Sequence, residues 1–382
     1  MSKGYIIAGL MVIFMTVLCE DTFCLAAEKR SNTVLENWEE NIALDEVEDV
    51  FYELQGNKEF QLGEYVRSIV SGEVEFSFSS LWKSGIEQLE IQLQSEKNAF
   101  VRILALGIVS GIIMNFSGTI GDKNLGETGF YIIFTILFTT VSMGFYVAYE
   151  VAEEAVLNLI VFMKALVPSF SLSLCFGGGV GTSLVFYETM LIALSIIETI
   201  MANVLLPGVQ IYFLLGMINQ LSDNHFSKMV ELVRSFLKGS IKVLYGILLG
   251  YQGIQGILLP VMDKVKSNTV LQTAKGLPGV GNTLGSAADT IIGSGMLIKS
   301  AVGVGGIICI LCLCLYPLIK LMVFTLLYRV SSALVQPVSD KRVVAVIHIA
   351  AESGKLLLWY LLAGTIMFLL SITIVLAATN MI

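Results

Sequence analysis

Residues 300–328 read SAVGVGGIICILCLCLYPLIKLMVFTLLY, with Lys320 the lone Lys, Arg, Asp or Glu. A helix needs roughly 20 mainly apolar residues to cross a hydrocarbon core about 30 Å thick, and this stretch exceeds that length. Six other stretches meet the same test: 100–120, 129–149, 155–176, 180–206, 243–262 and 356–379. The whole chain agrees with them. It has 382 residues, 55% of them hydrophobic and only 14% charged, where an ordinary soluble domain carries about 25% charged residues. The expected fold class is therefore all-α, a polytopic helical membrane protein. Cys309, Cys312 and Cys314 fall inside the same lipid-like run with no histidine or carboxylate beside them. They read as small hydrophobes rather than metal ligands.

Working outward, the N-terminus has Lys3, an apolar run from Tyr5 to Leu18, and Cys24-Leu25-Ala26-Ala27 before charge resumes. Residues 1–27 thus read as a secretory signal peptide. Residues 28–99 then hold 16 acidic against 6 basic residues, whereas 100–382 hold 13 against 16. An acidic extracytoplasmic head joined to a near-neutral membrane body is expected, with no basic nucleic-acid footprint. Within the head, Leu44, Val47, Val50, Phe51 and Leu54 form one helical stripe, and Trp82, Ile86, Leu89 and Leu93 another. Ser79 or Ser80 caps the second helix, which is predicted to run through Lys97 and Arg102 into the first span.

Residues 208–221 are short for a span, and Pro207-Gly208 should break the helix before them. If they do cross, the loops with Lys228, Arg234, Lys238 and Lys242, and with Arg329, Lys341, Arg342 and Lys355, both fall in the cytoplasm, as basic loops do. The acidic link Glu150, Glu153, Glu154 then falls outside, and eight spans fit better than seven. The body divides into a first helix block, 100–262, a Gly-rich loop or re-entrant segment, 263–299, and a second block, 300–382. The stretches following Pro207 and Pro317 resemble distant copies of one another. In the first, Phe226, Met229, Val233 and Phe236 oppose Lys228, Glu231, Arg234 and Lys238, the pattern of a helix lying along the cytoplasmic interface.

Candidate functional residues are few. Two histidines, His225 and His348, are too isolated for a triad or metal centre, and the glycines at 279, 281 and 285 match neither phosphate-binding fingerprint. No catalytic, cofactor-binding or metal-ligating set is expected, and the chain is not read as an enzyme. Ionisable residues within spans are expensive and mark either an internal pair or a hydrated path. Lys164, Glu188 and Glu198 form the candidate intramembrane polar cluster, while Lys320, nearer the end of its span, is expected to snorkel.

The order of these features is the most specific signal. Signal peptide, acidic helical head, multispan body, the run Leu277-Pro278-Gly279-Val280-Gly281 through Asp289 and Gly295, and the run from Tyr328 through Ser331-Ser332 and Gln336-Pro337 to Asp340 together resemble the stage III sporulation protein AE family of endospore-forming bacteria. That resemblance implies a mother-cell membrane protein facing the space around the engulfed forespore. It implies membership of the channel, or feeding-tube, complex that sustains late forespore gene expression. The implied partners are the other membrane proteins of the stage III sporulation A complex and, indirectly, its cytoplasmic ATPase and stage II sporulation protein Q. The runner-up reading is an autonomous secondary transporter with a polar midplane site built on Lys164, Glu188 and Glu198.

Overall fold

The computed structural model describes residues 44–55, 78–120, 123–222, 225–275 and 281–380. Among the described residues every element is helical. They are α1 (Leu44–Gln55), α2 (Phe78–Ile120), α3 (Lys123–Phe176), α4 (Val180–Ile197), a π-helical segment (Glu198–Leu205), α5 (Leu206–Leu221), α6 (Ser227–Lys275), α7 (Gly281–Val335) and α8 (Lys341–Asn380). The signal-peptide reading, most of the acidic head and residues 276–280 of the Gly-rich run lie outside the described residues.

Among the described residues, five segments are long and apolar enough to cross a bilayer: Gly85–Met114, Thr128–Phe176, Val180–Leu221, Gly293–Val335 and Lys341–Ala377. Several stretches expected to be separate are continuous. The 129–149 and 155–176 stretches are one helix of 54 residues, α3, passing straight through Glu150, Glu153 and Glu154. The reason is that its apolar stripe never lapses. Val141, Phe145, Ala148, Ala152, Ala155, Leu159, Phe162 and Leu166 recur at helical spacing and are all buried, while Glu150 and Glu154 sit on the exposed side. At about 1.5 Å per residue α3 is about 80 Å long, so a bilayer encloses less than half of it.

Pro207-Gly208 does not end its helix either. The chain widens into the π segment, and α5 takes over with Pro207 in its first turn, where a missing N–H is tolerated. Gly208 lets the Leu237 side chain approach within 2.7 Å of where a Cβ would stand. Most of 263–299, expected as a Gly-rich loop or re-entrant segment, is helical, since α6 continues to Lys275 and α7 starts at Gly281. Of its glycines, Gly293 faces open space whereas Gly295 packs closely, as do Gly303 and Gly306 just beyond the stretch. A Cβ at Gly303 would meet Leu376 at 2.6 Å, and one at Gly306 would meet Leu166 at 2.7 Å. Gly295 lies against the Phe176 carbonyl and the Gly177 amide.

The two helix blocks interleave into one bundle. Helices α3 and α7 run antiparallel, with Gly144 against Tyr328 near one end and Gly295 against Phe176 near the other. Close to the Tyr328 end, Phe145 stacks on Phe213 with centroids 4.0 Å apart, and Arg342 lies over the Phe130 ring at 3.8 Å. Higher up, Gln252 donates to Ser371 at 2.5 Å. The predicted continuity of α2 into the membrane body is present as a single helix of 43 residues. Its predicted stripe packs only in part, through Leu89. Ile86 and Leu93 are exposed, and the inward face is the one carrying Gly85, Leu89, Gln92 and Glu96. A Cβ at Gly85 on this face would meet Leu315 of α7 at 3.8 Å.

Candidate functional site

Lys164 and Glu198 are brought together. The Lys164 ammonium donates to the Glu198 carboxylate at 2.6 Å, between α3 and the first residue of the π segment. The pair is not sealed in the core, for the two side chains are 45% and 40% exposed. In hydrocarbon such an exposed pair would be costly, so this strip of the bundle demands water or a polar partner surface. Glu188, ten residues earlier on α4, is exposed and makes no ion pair among the described residues. The structure therefore supports a pair plus a separate carboxylate on one flank, and not a closed three-residue cluster. Lys320 instead points to the Tyr316 hydroxyl at 3.3 Å, with its ammonium 5.6 Å from that ring.

A second polar feature lies on the flank of α1. Leu44, Val47 and Phe51 are buried against the bundle, and Phe51 meets Phe162 edge-on at 6.1 Å. Phe162 is in the middle of the apolar stretch 155–176. The outer side of α1 presents Asp45, Glu46, Asp49 and Glu53, all exposed. One surface of an apolar helix is thereby roofed by an acidic one.

A third, missed by the sequence reading, joins α6, α7 and α8. Glu352 is only 8% exposed and is bound by Arg234, with Arg329 at 3.7 Å from its other oxygen. Arg234 was expected on the polar face of an interfacial helix; it turns inward to this carboxylate, and Leu237 beside it is fully buried. The helix exposes Phe226, Met229, Leu232 and Phe236 instead. The available signal was that Glu352 is the sole acidic residue after Asp340. Around it, Lys238 is held below the ordinary lysine range by partial burial, then by the charges of Arg234, Lys355 and Lys242, with Glu352 opposing.

Lys299, at the end of the stretch expected as a Gly-rich loop or re-entrant segment, is 0% exposed and packs its side chain beside Gly177. Its ammonium has no hydrogen-bond partner among the described residues. Cys309 and Cys314 are buried in the hydrophobic core, Cys314 against the Thr365 hydroxyl at 3.2 Å, and Cys312 is half-buried. His225 contacts the Ser222 carbonyl and His348 is exposed on α8.

Long apolar helices, buried glycine contacts and charge restricted to a few flanks define a helical membrane protein. Residues 60–379 match the sequence profile of the family described as Stage III sporulation protein AE, and the chain belongs to that family. It is similar to the Stage III sporulation protein AE of Bacillus subtilis (strain 168), with 22% identity over 314 residues, covering 82% of this chain and 79% of that protein. No solved structure matches the chain. The family implies a role in sporulation.

Proposed function

We propose that the chain is an integral subunit of the channel complex linking mother cell and forespore, set in the mother-cell membrane around the forespore with its acidic N-terminal region extracytoplasmic. In that place it supports late forespore gene expression. Its partners are the other membrane proteins of the stage III sporulation A complex and, through them, the cytoplasmic ATPase and stage II sporulation protein Q. The observation that carries this reading is the acidic helix α1 docked on an apolar span helix through Phe51 and Phe162. Four exposed carboxylates at that level require an aqueous or protein surface beside the bundle, as a subunit bordering a conduit or a companion protein would have. The half-exposed Lys164–Glu198 pair makes the same demand on a second strip.

The test is a photo-crosslinking residue at position 49 in sporulating cells, read together with localisation during engulfment. The expected result is a ring around the forespore and crosslinks to companion membrane proteins of the complex. Uniform membrane staining without such crosslinks, together with gradient-driven solute uptake by the purified protein in liposomes, would replace this reading with the autonomous transporter.

A further inference from the structure

Helix α6 carries two parallel rows on its outward side. Lys238, Lys242, Gly246, Gly250 and Ile254 recur every four residues, and beside them run Gly239, Val243, Ile247 and Tyr251. Residues four apart share one helix face, so each row begins with a polar or small residue and becomes an apolar strip. Val243 and Ile247 are 62% and 65% exposed, and Tyr251 and Ile254 are exposed as well. A Cβ built on Gly239, Gly246, Gly250 or Gly253 would meet nothing within 4 Å. Among the described residues nothing covers this strip.

At its polar end the charge is unbalanced. Lys238 lies within electrostatic reach of Arg234, Lys242 and Lys355, and of one carboxylate, Glu352. That carboxylate is already taken by Arg234 and Arg329. Lys238, Lys242 and Lys355 have no ion-pair partner among the described residues. Three cations therefore stand at one end of an exposed apolar strip. From Lys242 to Ile254 the strip is about 18 Å long at 1.5 Å per residue, close to half of a hydrocarbon core about 30 Å thick.

We propose that this face of α6 binds an anionic phospholipid, with the headgroup phosphate between Lys238, Lys242 and Lys355 and an acyl chain lying along Gly246, Gly250 and Ile254. A phosphate supplies the missing negative charge, and an acyl chain covers apolar surface that an acidic peptide would leave bare. The site needs only that the protein sit in a bilayer, so it goes beyond the channel role and stands or falls without it.

The experiment uses full-length protein in mild detergent, titrated with phosphatidylglycerol or phosphatidylcholine, and bound lipid counted by native mass spectrometry. Wild type is expected to retain phosphatidylglycerol at least fivefold over phosphatidylcholine. K238Q/K242Q/K355Q should lose that preference, and K238R/K242R should keep it. Lys228, which faces Glu231 at 3.4 Å, supplies the control K228Q, which should also keep it. Thermal unfolding in phosphatidylcholine reports whether each variant is folded; should the triple variant not fold, K242Q alone carries the test, with about a twofold loss expected. Undiminished preference in a folded triple variant, or equal retention of both lipids by wild type, overturns the proposal. Lysine-dependent capture of a polyglutamate peptide without any lipid preference also overturns it, assigning the patch to an acidic protein partner.

Discussion

Three glycines of α7 and four of α6 look alike in the sequence and do opposite things. On α7, Gly295, Gly303 and Gly306 are each pressed against a neighbouring helix, Gly295 by backbone and the other two by leucine side chains. On α6, Gly239, Gly246, Gly250 and Gly253 face open space. Small residues permit close helix approach in membranes, but at these positions the permission is used in α7 and, among the described residues, unused in α6. Helix α7 is a packed central element; α6 is held at its edge by Leu237, by the Gln252–Ser371 hydrogen bond and by the Arg234–Glu352 pair.

The sharpest way to break this contrast is Gly295→Ala. The added methyl would collide with the Phe176 carbonyl and with the Gly177 nitrogen at 2.8 Å, and backbone on both sides cannot yield as a side chain can. A loss of about 3 kcal/mol is expected from such overpacking, read as a fall in unfolding temperature or in the amount of folded protein recovered in detergent. An unchanged melting temperature would mean that α7 does not meet the α3–α4 turn as described. One turn along the same wall, Lys299→Met should act in the opposite direction. It replaces a buried ammonium that has no hydrogen-bond partner among the described residues with an apolar chain of similar length. A gain of about 2 kcal/mol is expected from removing an unsatisfied buried group, and a loss would reveal a partner for that ammonium. On the α6 edge, Glu352→Gln removes the anion shared by Arg234 and Arg329. Because both arginines are partly exposed, solvent screens them, and the expected loss is about 1–2 kcal/mol, below the 3–5 typical of a fully buried pair. Equal losses for Glu352→Gln and for Lys228→Gln would show that the buried carboxylate has no special role in attaching α6.

What was legible in the sequence follows from which physics is local. Helix class and apolarity are local, so stretches such as 155–176 and 300–328 are helical in the structure, and so is the Leu44–Leu54 stripe. Helix ends are decided by neighbours. Glu150, Glu153 and Glu154 read as a link because charge interrupts hydropathy, yet Ala148, Ala152 and Ala155 keep one face of that turn buried. Pro207 read as a break because no sequence rule anticipates the π segment that absorbs it. The Lys164–Glu198 contact was visible as two opposite charges in adjoining apolar stretches; its exposure was not, since that depends on which helix lies alongside. Glu352 was overlooked because its arginine partners are 118 and 23 positions away in the chain.

The smallest expected effect is also the most discriminating. Gly246→Ala places a methyl group where nothing stands within 4 Å, so no clash opposes it. In a soluble helix the same change favours the helix by about 0.8–1.0 kcal/mol through backbone entropy and solvation. In lipid the helix is already enforced because the backbone has no alternative partners, so the gain should shrink to a few tenths of a kcal/mol or nothing. Purified Gly246→Ala should therefore unfold within about a degree of wild type, while Gly295→Ala falls by many. Were both substitutions to destabilise alike, the outward face of α6 would already be covered in the purified protein, and a neighbour pressed as closely as Phe176 presses on Gly295 would have to lie there.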